Sequence, residues 1–126
     1  MTTEKIPNGF SSLQEIGSFV VRNLRKQGKQ AMGPSTVGIP GQVCMYRSPD
    51  GCKCAAGWLI PDDKYDSGME ERGVKRIPFF LFEFDSNQIG FIYELQKIHD
   101  REWDDREEEW ENLFESRGLT LEKEPT

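Results

Sequence analysis

The sequence has no long apolar run, no secretory leader and only three cysteines, and each of these absences disfavours a class of protein. No segment approaches the roughly 20 apolar residues that a transmembrane helix needs, so we expect no membrane partner. The first residues do not combine a basic start with an apolar run, so no export signal is expected. Three cysteines then favour reduced thiols over a disulfide framework. The sequence therefore predicts a cytoplasmic protein.

Positive charge is also scarce, because 16 lysines and arginines face 22 acidic residues and leave a formal net charge of -6. Such a chain repels nucleic-acid phosphate, so direct DNA or RNA binding is disfavoured. Aromatic residues are present at 11% and bury much surface per residue. The chain therefore predicts a single domain over residues 1–126, ordered over about 10–119. The tails at 1–8 and 120–126 are expected to be flexible.

Three segments carry the signals of helices. Ser12 opens a capping box, apolar residues follow at helical spacing, and Gly28 is a natural stop. Ser86 is the predicted N-cap of a second helix. Gly118 is expected to end a third helix in a left-handed conformation. The predicted helices cover residues 13–28, 87–99 and about 102–117.

A β-hairpin is predicted in the middle of the chain, where a Ser-Pro-Asp-Gly turn separates arms at 43–47 and 52–60. The segment 33–42 is rich in glycine and proline and is predicted to be a loop. A short helix is expected over 62–71, and the apolar run 77–84 fits a buried strand or a buried helix equally. The predicted fold is α+β, a small single domain with about three main helices packed around a β-hairpin.

Cys44, Cys52, Cys54 and the single His99 are the residues that could hold a metal, because three thiolates and an imidazole suit tetrahedral Zn²⁺. One residue separates Cys52 from Cys54, whereas metal knuckles space their ligands two to four residues apart. A three-residue loop would make Cys44 face Ala56 and place all three thiols on one side; a two-residue turn would point Cys44 to the other face. Buried structural thiols are the favoured interpretation, so neither a metal nor a cofactor is predicted.

His99 and Asp100, at the end of a predicted helix, could form an oriented general base with Cys44 or Cys54 as its nucleophile. No nucleophile elbow, triad spacing or phosphate-binding glycine loop accompanies them. A histidine near a helix C-terminus also stabilises the helix dipole. We therefore expect that the protein is not an enzyme, and a small Cys/His enzyme is an alternative.

Acidic residues are concentrated in the segment 100–111, which holds eight carboxylates and two arginines. Its charge of 2 − 8 = -6 equals that of the whole chain. Such a segment can imitate nucleic-acid phosphates toward a basic partner, or it can be a solvated helix face. The candidate partner-binding residues are Asp104, Glu107, Glu108 and Glu111.

A pocket for a nucleotide-like small molecule is a further possibility. Arg47 and Lys53 could pair with phosphates, and Tyr46 could stack on a base. The segment 33–42 could form the rim of this pocket. The corresponding alternative function is a protein that binds and sequesters a nucleotide signal.

One longer pattern resembles a known family. It reads C-x-Y-R-x-x-D-G-x-K-C-A-x-G-x-L-I-P-D over residues 44–62, followed by L-Q-x-I-H-D over 95–100 and by Trp110. The family comprises small uncharacterised proteins of bacteriophages, prophages and related bacterial loci, and the resemblance covers about residues 12–119, without Cys52. It implies a phage-type accessory protein that binds and inhibits a host or defence protein in the host cytoplasm, which is the leading functional hypothesis.

Overall fold

A computed structural model describes residues 12–35, 38, 40–70 and 72–123, without the side chains of Leu81 and Phe82. Within these residues the helices are α1 (Leu13–Gln27), α2 (Pro78–Glu83), α3 (Ser86–Arg101) and α4 (Arg106–Ser116), and the strands are β1 (Met32–Pro34) and β2 (Gln42–Cys44). Short 3₁₀ turns lie at Ala56–Leu59, Asp62–Lys64, Ser67–Met69, Val74–Arg76 and Trp103–Asp105. The fold is a small α+β domain, as predicted. None of the helices in the described ranges has both the length and the apolar character needed to cross a bilayer.

Helix α1 begins and ends where the sequence predicts. The Ser12 hydroxyl accepts a hydrogen bond from the Glu15 N–H at 3.2 Å and so caps a free backbone donor of the first turn. Gly28 adopts a left-handed φ of 75°, and its N–H donates to the Leu24 carbonyl at 2.9 Å. One face of the helix is buried in the core and consists of Ile16, Gly17, Val20, Val21 and Leu24.

Helix α3 begins one residue earlier than predicted, because its N-cap is Asp85 and not Ser86. The Asp85 carboxylate accepts a hydrogen bond from the Gln88 N–H at 2.8 Å, and the Gln88 side chain accepts one from the Asp85 N–H at 2.9 Å. These two bonds form a complete capping box, and a carboxylate also interacts favourably with the positive end of the helix dipole. The predicted serine cap is therefore replaced by its acidic neighbour.

Helix α4 ends in the predicted left-handed residue. Gly118 has a φ of 72°, its N–H donates to the Glu115 carbonyl at 3.1 Å, and the Leu119 N–H donates to the Phe114 carbonyl at 2.8 Å. This pair of bonds is a Schellman ending. The ending fixes the buried Trp110 and Phe114 against the core.

The predicted flexible tails fall mostly outside the described residues, which begin at Ser12 and end at Lys123. At the start of the predicted C-terminal tail, the Thr120 N–H donates to the Gln14 side-chain carbonyl at 2.9 Å, and the Gln14 amide donates back at 2.8 Å. The Glu122 carbonyl accepts a hydrogen bond from Arg25 at 2.9 Å. The chain after α4 therefore lies against α1.

In the β-hairpin, β2 pairs with the preceding strand β1 and not with the predicted arm over 52–60. β2 pairs antiparallel with β1, through Met32↔Cys44, Gly33↔Val43 and Pro34↔Gln42. The two ends of the segment 33–42, predicted to be a loop, therefore belong to the strands: Gly33 and Pro34 to β1, and Gln42 to β2. Pro34 is tolerated because β1 has a neighbouring strand on one side only.

The predicted strand over 52–60 leaves the extended conformation after Lys53, which forms a single antiparallel bridge with Arg47. The chain then turns into the 3₁₀ turn Ala56–Leu59. Gly57 lies against the backbone of the preceding arm, where a β-carbon would be 2.1 Å from the Tyr46 carbonyl oxygen. This close approach needs glycine, and it packs the Ala56–Leu59 turn against the first arm.

The two uncertain segments after the turn are both helical. The apolar run 77–84 contains helix α2, with Pro78 at its first position. Proline is suited to this position because the N–H it lacks would have no hydrogen-bond partner within the helix. The predicted short helix over 62–71 is not continuous: Asp62–Lys64 and Ser67–Met69 form two 3₁₀ turns separated by the extended residues Tyr65 and Asp66, and Glu71 lies outside the described residues. Helix α2 packs beside α3.

Candidate functional site

The turn after β2 has the three-residue register, in which Ser48 faces Cys52 and Tyr46 faces Cys54. The Ser48 N–H donates to the Cys52 carbonyl at 2.9 Å, and the Cys54 N–H donates to the Tyr46 carbonyl at 3.3 Å. The arm does not extend far enough for Cys44 to face Ala56, because the chain has already turned. Cys44 pairs with Met32 instead.

The four candidate metal donors are therefore not all brought together. Among the described residues, Cys44, His99 and Asp100 form the one group of three or more donor side chains, with ligand atoms within 4.8 Å of one another. Cys54 is fully buried and its thiol accepts a hydrogen bond from the Gly57 N–H at 3.2 Å. Burial raises the pKa of the Cys52 and Cys54 thiols above their usual range, so both are neutral.

His99 is fully buried, and both of its ring nitrogens are occupied. Nε2 accepts a hydrogen bond from the Ala31 N–H at 3.1 Å, so the ring proton lies on Nδ1, which is 2.8 Å from Asp100 Oδ1. A nitrogen that carries a proton has no lone pair for a metal or for a nucleophile's proton. These contacts make His99 a link between β1 and α3, and metal binding would require the Ala31 bond to break.

Cys44 is half-buried beside the same carboxylate. Burial, together with the negative charge of Asp100, raises the pKa of its thiol to about 12. A thiol in this state is protonated at neutral pH and is a poor nucleophile. The geometry therefore supplies neither a thiolate nor a free base to the Cys/His pair.

An open cleft of about 260 Å³ is lined by Cys44 and Asp100 among other residues, and we call it the α3 cleft. Three elements form it: the end of β2 and the residues after it, the segment that enters the Val74–Arg76 turn, and the outer face of α3. Tyr93, Lys97 and Arg101 follow one another at intervals of four residues, so they lie on one side of the helix. The lining residues are Cys44, Met45, Tyr46, Arg72, Gly73, Val74, Tyr93, Gln96, Lys97, Asp100 and Arg101.

The predicted ligand residues are not brought to one site. Tyr46 lines the α3 cleft but is only 5% exposed, and its hydroxyl donates a hydrogen bond to the Arg72 carbonyl. Arg47 and Lys53 lie elsewhere, where their cationic groups approach Asp62 at 2.9 and 3.9 Å. Arg47 also packs over the Tyr65 ring. Their role as ligands of a nucleotide stays a prediction.

Glu70 is a buried carboxylate that sequence reasoning missed. It is 5% exposed and accepts hydrogen bonds from the N–H groups of Tyr46 and Arg47, at 2.8 and 3.1 Å, and from the Tyr65 hydroxyl. These bonds hold the backbone between β2 and the turn, which includes part of the cleft wall. A lone glutamate in a loop gives no sequence signal for this role.

The candidate acidic residues in and just before α4 differ in their partners. Glu107 forms a double hydrogen bond with Arg25 of α1, at 2.6 and 2.9 Å, and so acts within the fold. Asp104, Glu108 and Glu111 are exposed and form no ion pair with other described residues. Glu115 continues their spacing, and we call these four residues, Asp104, Glu108, Glu111 and Glu115, the acidic face.

The fold and these features define a small α+β protein with an open polar cleft and a separate acidic helix face. No protein-family model matches the chain, and no curated protein or solved structure is significantly similar to it. Its function is therefore inferred from these surfaces.

Proposed function

We propose that the protein acts by stoichiometric binding, without catalysis, and that the acidic face binds a basic surface of a partner protein. The observation that carries the proposal is the spacing of Asp104, Glu108, Glu111 and Glu115. Steps of three and four residues place Glu108, Glu111 and Glu115 on one side of α4, and Asp104 lies in the Trp103–Asp105 turn just before the helix. All four are exposed.

The opposite side of α4 supports this interpretation because it is firmly packed. Trp110 and Phe114 are buried, and the Phe114 ring contacts the Phe91 ring of α3 with centroids 5.9 Å apart. The Arg25–Glu107 pair adds a second connection to α1. A partner would thus meet a carboxylate row that is already ordered, and binding would cost little conformational entropy.

The charge distribution supports a basic partner. Complementary charge raises the rate of encounter and suppresses binding to acidic surfaces. Following the family resemblance, the proposed partner is a host or defence protein that is inhibited when the acidic face covers its basic site. The occupied nitrogens of His99 and the protonated Cys44 thiol support binding over catalysis.

Affinity capture from bacterial lysate, read by mass spectrometry, tests the proposal. The test variant carries Glu108→Gln and Glu111→Gln, and the control carries Asp63→Asn and Asp66→Asn, which change the net charge by the same amount on another surface. We expect the wild type and the control to retain the same partner, and the test variant to retain about tenfold less. Equal retention by both double variants would remove the acidic face from the mechanism.

A further inference from the structure

The α3 cleft has a charge opposite to that of the chain as a whole. Arg72, Lys97 and Arg101 line it with a single carboxylate, Asp100, which gives 3 − 1 = +2 at this site in a chain of net charge -6. Within the described ranges, no carboxylate forms an ion pair with Arg72 or Arg101, and Lys97 meets only Glu94, at 3.4 Å. These cations are therefore available to an anion from solution.

Asp100 is the one group in the cleft that would repel an anion, and its Oδ1 is already engaged. It lies 2.8 Å from His99 Nδ1 and accepts a hydrogen bond from the Gln96 amide at 2.9 Å. These donors disperse part of its negative charge. Arg72, Lys97 and Arg101 are the groups in the cleft lining that would attract an anion.

Tyr93 adds an aromatic surface to the same cleft. It is 39% exposed, and among the described residues it is the one large hydrophobic side chain that is exposed to solvent. The Lys75 ammonium lies 4.6 Å from its ring centroid, although Lys75 does not line the cleft. An exposed aromatic ring beside cations is the combination that stacks a base and neutralises its phosphate.

We propose that the α3 cleft binds a small nucleotide, with its phosphate at Lys97, Arg101 and Arg72 and its base against Tyr93. The volume of about 260 Å³ lies just below the range of about 300–1,000 Å³ that is usual for ligand pockets, which fits a mononucleotide. A nucleic-acid strand would extend beyond the cleft into the repulsion of the acidic chain. This site is separate from the acidic face and uses different residues from the predicted trio of Tyr46, Arg47 and Lys53.

Isothermal titration calorimetry of the full chain with AMP and GMP tests the proposal, and inorganic phosphate and adenosine serve as fragment ligands. We expect at least one nucleotide to bind more tightly than either fragment. The double variant Lys97→Gln with Arg101→Gln should weaken that binding by about tenfold or more. Tyr93→Leu should weaken it by about fivefold or more, because it removes the stacking surface.

The matched control carries Lys26→Gln and Lys64→Gln, which remove two exposed lysines outside the cleft. The control should bind the nucleotide as the wild type does. The site assignment would be overturned if the control lost as much affinity as the cleft variant, or if no nucleotide bound at millimolar concentration. Phosphate that binds as tightly as the nucleotides would overturn the role of Tyr93. Because the substituted side chains are at least partly exposed, circular dichroism should show both double variants folded.

Discussion

The imidazole of His99 accepts a hydrogen bond from the backbone N–H of Ala31 at 3.1 Å, and both residues are fully buried. This contact joins the last turn of α3 to the residue that precedes β1. The backbone carbonyl of His99 also accepts a hydrogen bond from the Gln30 amide at 2.7 Å. His99 therefore holds the last turn of α3 against the residues that precede β1.

Replacing His99 should destabilise the protein strongly. His99→Ala leaves a cavity and an unpaired Ala31 N–H, so we expect the free energy of unfolding to fall by about 2–4 kcal/mol. Urea unfolding followed by tryptophan fluorescence measures this change. Gln30→Ala, which removes only the bond to the His99 carbonyl, should cost about 1 kcal/mol. A His99 variant that is no less stable than the Gln30 variant would contradict the structural role.

The helix ends could be predicted from sequence because their signals are local. The Ser12 cap, the Gly28 stop and the Gly118 ending each depend on residues within one turn. The sequence does not distinguish Asp85 from Ser86 as the N-cap of α3, because the two residues are adjacent and both are good caps. Local signals therefore fixed the helices to within a few residues.

The strand partner could not be predicted, because pairing is decided by contacts between distant residues. β1 contains Gly33 and Pro34, which are unfavourable in strands, and it shows no alternation of apolar and polar residues. Gly33 fits here because a β-carbon would lie 2.5 Å from the Met45 sulfur. The close packing of Gly57 on Tyr46 is likewise a tertiary contact without a sequence signal.

Part of the cleft was visible in the sequence. Tyr93 and Lys97 stand four residues apart on the predicted helix over 87–99, opposite the buried stripe, and this spacing could have indicated a shared outer face; Arg101 continues the interval two residues beyond the predicted end of the helix. Arg72 could not have been added to them, because it reaches the cleft only through the fold. Tyr46, Arg47 and Lys53 are the residue types that stack a base and pair with phosphates, but the fold directs the two cations toward Asp62.

The packing of Gly57 predicts a contrast between two glycines. Gly57→Ala places a β-carbon 2.1 Å from the Tyr46 carbonyl oxygen, and neither backbone can move without breaking the turn, so we expect a loss of about 3 kcal/mol or more. Gly90 lies inside α3 with no atom within 4 Å of its would-be β-carbon. Gly90→Ala should therefore stabilise the protein by about 0.5–1 kcal/mol. Thermal unfolding of the two variants measures both signs, and a tolerated Gly57→Ala would contradict the described turn.

Glu70 should be required as a carboxylate. Glu70→Gln replaces one acceptor oxygen by an NH₂ group that would face the Tyr46 or Arg47 N–H or the Tyr65 hydroxyl, so we expect a loss of about 1–3 kcal/mol in urea unfolding. Tyr65→Phe removes one donor and leaves the two backbone bonds, so it should cost about 1 kcal/mol. If Glu70→Gln destabilised the protein less than Tyr65→Phe, the hydrogen bonds from the backbone to Glu70 would not be its main contribution to stability.

The Cys44 thiol should be unreactive at neutral pH. Its pKa is raised to about 12, so the thiolate population is far smaller than that of a free cysteine. Native alkylation with iodoacetamide, followed by peptide mass spectrometry, should modify Cys44 much more slowly than the unfolded chain at the same pH. Alkylation of Cys44 as fast as in the unfolded chain would reopen the Cys/His enzyme alternative.

The same thiol predicts how stability changes in alkaline solution. The folded state holds the Cys44 proton more tightly than the unfolded state, in which the pKa returns to 9.0. Below 9.0 both states are protonated and this contribution to stability is complete. As the pH rises from 9.0 toward about 12, the unfolded chain loses the proton first, so the free energy of unfolding falls.

Burial raises the pKa of Cys54 and Tyr46 as well, so these two groups lower the free energy of unfolding in alkaline solution in the same way. Urea unfolding below and above pH 9.0 measures the combined fall in the free energy of unfolding. This fall should be smaller for Cys44→Ala than for the wild type. An equal decline in the two proteins would mean that Cys44 has no part in it.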